Sequence, residues 1–245
     1  MRKQWYRALT IVIFLFVIFP QPLIINKDVY ASVPPVASAD EYTSPADGWW
    51  NGEWQYRKKI IFNNTPITED LIDFPVLVHL TSSVFDFTKA QSSGQDIRLV
   101  DSDNATALNY EIEQWDSTKQ LADIWVNVPQ VDSGSTSDFV YLYYGNPAIS
   151  DGQNIQGTWN GGYVAVYHMN DGADTSHIKD STDNHNDGVK SGAGVPIEVP
   201  AMIGNGQGFD GVDSYIDCGT GAALSFGTGN FSIGREQASS LCSEG

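Results

Sequence analysis

Between Trp54 and Tyr144 apolar residues recur at every second position in short runs, and no run sustains a helical period. Such alternation puts one set of side chains on each face of a pleated strand, so each strand must bury one face against another layer. Phe74, Val76, Val78 and Leu80 share a face, as do Leu108, Tyr110 and Ile112 with Asn109, Glu111 and Glu113 opposite. Ile124, Val126 and Val128 alternate with Asp123, Trp125 and Asn127, and Phe139 to Tyr144 is almost wholly apolar or aromatic. Turn clusters such as Ser92-Ser93-Gly94 and Asp132-Ser133-Gly134 separate the runs. Strands this short and this closely spaced predict an all-β fold, an antiparallel β-sandwich.

The pattern also divides the chain. Residues 49–150 form the expected sandwich, preceded by a Pro/Ser/Ala/Asp-rich spacer at 32–48 and followed by a polar linker at 151–162. A second β module opens at Tyr163 and runs to 233, short of the about 100 residues a sandwich takes, so it reads as incomplete. The tail, 234–245, has no apolar alternation.

The N-terminus has the make-up of an export signal. Arg2, Lys3 and Arg7 precede an apolar run from Ala8 to Phe19, which Pro20 ends short of the roughly 20 residues a membrane-spanning helix needs. Val29-Tyr30-Ala31 suits a signal peptidase, with Ser32 as the mature start; Ala37-Ser38-Ala39 is the alternative, and an uncleaved anchor the third reading. Residues 1–31 are thus expected to be a signal peptide, and the protein secreted or displayed at the cell surface. The formal charge is −17, and loss of the basic leader leaves the chain more acidic still. A surface of that sign repels phosphate backbones and anionic lipid, which argues against nucleic acid and, apart from the export signal, against a membrane. Cys218 and Cys242 have no metal or redox spacing; export permits a disulfide between them, and free thiols are the alternative.

Two family resemblances sit on this frame. Trp54-Gln55-Tyr56-Arg57-Lys58-Lys59-Ile60, Gly94-Gln95-Asp96-Ile97-Arg98, Tyr110-Glu111-Ile112-Glu113-Gln114-Trp115-Asp116, Ile124-Trp125-Val126-Asn127-Val128-Pro129 and Tyr143-Tyr144-Gly145-Asn146-Pro147 resemble, in order, the domain of unknown function numbered 2341. That resemblance covers 49–150 and implies an architecture found in prokaryotic surface proteins, not a reaction. Ala165-Val166-Tyr167-His168-Met169, Asp180-Ser181-Thr182-Asp183-Asn184-His185-Asn186-Asp187-Gly188 and Gly208-Phe209-Asp210-Gly211 resemble the opening half of a laminin-G-like, concanavalin-A-like jelly roll. It implies a partial jelly-roll β-sandwich that binds sugar or protein, often with calcium.

Three sets of residues have the right types for chemistry. Glu111 and Glu113, two apart on a strand, would present carboxylates about 6.5 to 7 Å apart, near the separations glycosidases use. They are the candidate catalytic pair, and the alternative is a solvated strand face. Asp180, Asp183 and Asp187 lead a loop dense in oxygen ligands, which suits calcium, although the loop lacks EF-hand spacing and a polar connection explains it equally. Trp125, flanked on its face by Asp123 and Asn127, is the candidate ring for stacking on a sugar, with core packing as the alternative for it and for the other tryptophans. Gly206-Gln207-Gly208-Phe209-Asp210-Gly211 matches a dinucleotide fingerprint, but strand rather than helix follows it. The four histidines lack paired metal spacing.

The expected function is a non-catalytic binding module whose partner is a glycan or an extracellular protein. A structural spacer in a larger surface protein is the second reading, and a glucanase-type glycoside hydrolase fragment the third.

Overall fold

The computed structural model describes residues 14–17, 48–65, 67–160, 162–201, 203–221, 224 and 231–234. The rest of the expected signal peptide, nearly all of the spacer, and the tail beyond Gly234 with Cys242 lie outside the described residues. The chain divides into two units, Leu23–Gly161 and a second made of Met1–Pro22 with Gly162–Gly245. In chain order the strands begin with β1 (Phe14–Val17), β2 (Tyr56–Ile61), β3 (Leu71–Thr81), β4 (Arg98–Asp101), β5 (Tyr110–Asp116), β6 (Leu121–Val131) and β7 (Phe139–Tyr144). A single helical turn, α1 (Ile155–Thr158), follows. Then come β8 (His177–Ile178), β9 (Gly188–Ser191), β10 (Ile197–Pro200), β11 (Asn205–Gly208), β12 (Tyr215–Asp217) and β13 (Phe231–Gly234).

The unit Leu23–Gly161 is an all-β antiparallel sandwich of two three-stranded sheets, ordered β2-β7-β4 and β3-β6-β5. The alternation in the sequence sets its inner faces: Val76, Val78 and Leu80 of β3 and Ile124, Val126 and Val128 of β6 share one buried cluster with Ile60, Leu99, Val140 and Leu142. Each such aliphatic contributes about 1.5 to 3 kcal/mol when fully buried. Pro75, which lacks a ladder donor, is tolerated because β3 is an edge strand. The β5–β6 register slips between Ile112 and Gln114, so Glu113 is the extra residue of a bulge.

One carboxylate ties the ends of these strands together. Asp96, 1% exposed, accepts the backbone N–H of Gln91 at 2.8 Å on one oxygen. Its other oxygen accepts the N–H groups of Gly145 and Asn146 at 2.8 and 3.1 Å. Its backbone carbonyl takes the Trp54 indole N–H at 2.6 Å. Gly145 has a φ of +87°, and a Cβ there would meet Tyr56 Cδ2 at 2.4 Å, so no other residue fits the turn without strain.

In the second unit β12-β9-β8 form a sheet, β10 and β11 a hairpin, and β1 pairs antiparallel with β13, Phe14 opposite Gly234. β1 therefore lies inside the run read as an export signal. The core is small: Ala165, Tyr167, Met169 and Ile178, with Ile216, Cys218 and Leu224 against them. Cys218 is a free thiol among the described residues, and burial pushes its pKa up. Val195, Ile197, Val212 and Tyr215 are all more than half exposed here, whereas the sandwich exposes only Ile72 to that degree among its described large apolar residues.

Replacing Asp96 with Ala should cost about 3 kcal/mol or more, because three backbone N–H donors, two of them buried, lose a charged acceptor together; the denaturant midpoint measures it. Tyr110 gives a second test. Its hydroxyl donates to the Ile97 carbonyl at 2.8 Å, and burial, only partly opposed by Arg98, pushes its phenol up to about 12. The folded value lies above the unfolded value of about 10, so this contribution is complete below pH 10 and lost as pH rises toward 12. Tyr110→Phe should flatten the alkaline arm of the stability curve.

Candidate functional site

Asp123, Trp125 and Asn127 point away from the sandwich core, as their alternation requires, yet they do not face solvent. Trp125 is 5% exposed and Asp123 2%. Residues 151–160, read from sequence as a linker, instead cross this face as a strap. Asn154 caps α1, accepting from Gly157 N at 3.2 Å, and its own N–H donates to the Tyr110 carbonyl at 3.1 Å. The Gln153 side-chain oxygen accepts Ile112 N–H at 2.6 Å, so the strap covers the free edge of β5. Trp159, 2% exposed, then lies against Trp125 with ring centroids 5.4 Å apart.

The two glutamates complete this clasp. Glu113 accepts the Trp125 indole N–H at 2.6 Å, and Glu111 accepts that of Trp159 at 2.5 Å. Asn127 donates to the carbonyls of Asp73 and Thr158, at 3.3 and 3.2 Å. Asp123 meets His79 Nδ1 at 2.6 Å, and only the imidazole is substantially exposed. Trp125 cannot serve as a bare platform for a sugar, because Trp159 and the strap cover it. Glu111 and Glu113 reach this same outer face, where each carboxylate holds a different indole of the Trp125–Trp159 pair.

The acidic loop of the second unit is organised from within. Both oxygens of Asp180 are engaged: the N–H groups of Val166, Thr182 and Asn186 and the Thr182 hydroxyl donate to it at 2.9 to 3.0 Å. Asp187 accepts from Lys179 Nζ at 2.5 Å and from Asp180 N–H at 3.0 Å, while Asp183 is exposed. Asn184 and Asn186 both donate to the Val164 carbonyl at 3.0 Å. Asp180, Asp183 and Asp187 do not converge, and no group of three His, Cys, Asp or Glu side chains suited to a metal occurs among the described residues. The calcium set expected from sequence does not assemble, because its central carboxylate is already saturated by N–H and O–H donors.

A third surface went unrecognised as a site in the sequence. On the outer face of β2-β7-β4, Phe139, Tyr141 and Tyr143 alternate along β7, opposite Ile61, Lys59 and Arg57 of β2. The guanidinium of Arg57 lies 4.4 Å from the Tyr141 ring centroid and 5.3 Å from that of Trp49. The ammonium of Lys59 sits 3.6 Å over Phe139. Trp50 packs on Trp54 at 5.2 Å and on Tyr143 at 5.8 Å, closing one end of the ladder. The period-two rings of β7 were legible; that cations from a neighbouring strand would lie on them depended on pairing across eighty-odd residues.

Residues 93–186 match the family model of a domain of unknown function, DUF2341. The match takes in the Asp96 turn, the bulged β5, the Trp125–Trp159 clasp and the Asp180 loop. It begins later and ends later than the 49–150 expected from sequence. No curated protein and no solved structure matches the chain.

Glu111→Ala removes the acceptor of a buried indole and should destabilise the sandwich by about 1 to 3 kcal/mol, whereas Glu111→Gln, which keeps an amide oxygen in place, should cost less; urea unfolding separates the two. Since the acidic loop closes on its own donors, the melting temperature should be the same in excess calcium as in chelator.

Proposed function

We propose that the chain is a non-catalytic, all-β binding module of an exported or surface-displayed protein, with a glycan as its ligand. The observation that carries this reading is the outer face of β2-β7-β4. Its rings and cations stand half-exposed at Arg57, Lys59, Phe139 and Tyr141, outside the inter-sheet core, with Tyr141 packed at the edge of a second cluster of Trp54, Val100 and Tyr143. Aromatic side chains with polar groups beside them suit sugars, which present both apolar C–H and hydroxyl surfaces. A non-catalytic role accords with Glu111 and Glu113, which hold buried indole donors. Export accords with Arg2, Lys3, Arg7 and the apolar run that follows them. The second unit accords with the opening half of a jelly roll, in its small core and its exposed apolar side chains.

The structural-spacer reading gains from one finding, the burial of Trp125, the ring chosen from sequence as the ligand platform. Binding of the folded full chain to a glycan array, with no release of sugar from a panel of β-glucans, is the expected outcome. Absence of glycan binding by a well-folded sample would favour the spacer, and hydrolysis that disappears in Glu111→Gln would favour the glucanase.

A further inference from the structure

We infer that the outer face of β2-β7-β4 is an interaction surface for an acidic polysaccharide, such as a uronic acid polymer, with Lys59 as its principal contact. The inference rests on the glycan-binding reading and narrows it to one class of sugar and one face.

The rings on this face do not offer bare surfaces. Arg57 lies over Tyr141 and Trp49, and Lys59 lies over Phe139, so the layer a partner meets is positive charge laid on aromatic faces. A neutral sugar stacks on an exposed ring, and here cations occupy that position. An anionic sugar meets the Lys59 ammonium directly, while the Arg57 guanidinium is engaged by the Gly48 carbonyl, Asn104 and the Tyr143 hydroxyl.

Lys59 also differs from three other lysines of this acidic chain, whereas Lys89 shares its setting over a ring, 5.3 Å from the Tyr56 centroid. Lys119 pairs with Asp116, Lys179 with Asp187 and Lys190 with Asp171. Lys59 has no carboxylate partner among the described residues. Its ammonium is fixed over Phe139, beside a guanidinium that donates to the Tyr143 hydroxyl at 3.3 Å. Less side-chain freedom is therefore lost when an anion arrives. The net charge of −17 does not forbid this, because charges further off than a Debye length of about 8 Å are largely screened at physiological salt.

The experiment measures binding of the full chain to polygalacturonate, to a neutral β-glucan and to polyglutamate, at low and high salt. The same measurements are made with Lys59→Glu, Lys59→Arg and Tyr141→Ala, and an unchanged denaturant midpoint certifies the fold of the Lys59 variants. Binding to polygalacturonate is expected to weaken about tenfold or more in Lys59→Glu and in high salt, to survive in Lys59→Arg, and to weaken in Tyr141→Ala. Binding to neutral glucan that equals it and ignores salt would overturn the acidic class while leaving the glycan-binding reading intact. Polygalacturonate binding that Lys59→Glu does not change would overturn the site. Equal binding to polyglutamate would show recognition of charge without sugar and also overturn the proposal. If no glycan binds, this inference and the reading beneath it fall together.

Discussion

The Asp96 carboxylate joins three stretches of chain that no local rule brings together: the turn before β4, the turn after β7 and, through its own carbonyl, the Trp54 indole. Its setting is nearly dry, where charge-assisted hydrogen bonds to backbone N–H groups are strong and an unfilled donor is costly. The turn at Gly145 can close on it only because glycine accepts a left-handed backbone beside the Tyr56 ring. With both turns held, β7 lies fixed between β2 and β4. The inner residues of β7 reach the core, and its outer ones form the ladder of rings beneath Arg57 and Lys59.

The sandwich was largely legible in the sequence because strand alternation reports a local constraint. Val76, Val78, Leu80, Ile124, Val126 and Val128 all lie inward as their spacing implies. The opposite face of β6 misled for a physical reason. Polar neighbours at Asp123 and Asn127 suggested solvent, but those groups serve His79, Asp73 and Thr158, partners supplied by β3 and the strap. Alternation shows that a residue leaves the core; it does not show whether another layer waits outside. The strap itself is polar and holds Gly152 and Gly157, the composition of a linker, and its anchoring rests on Trp159 and on side-chain amides whose partners lie over forty residues away.

The Asp180 loop teaches a related point. Carboxylates crowded in sequence need not share a target, and here Asp180 faces inward to backbone donors while Asp183 faces solvent. A saturated carboxylate holds a turn as a bound ion would, using donors from Val166, Thr182 and Asn186. Density of oxygen ligands in a sequence is therefore compatible with two opposite outcomes, and the number of nearby N–H groups pointing at the central acid decides between them.

The strap carries a consequence for the order in which the molecule is made. Every strand of both sandwich sheets is present once Tyr144 has been synthesised, but the cover for Trp125 arrives only with Trp159. Until then a growing chain has a nearly finished sandwich with one wet indole and an unguarded β5 edge, the condition in which strands of neighbouring chains pair wrongly. Ending the chain at Ser150 would make that passing state permanent, so the natural unit of folding extends past the last strand to the residue that shuts it.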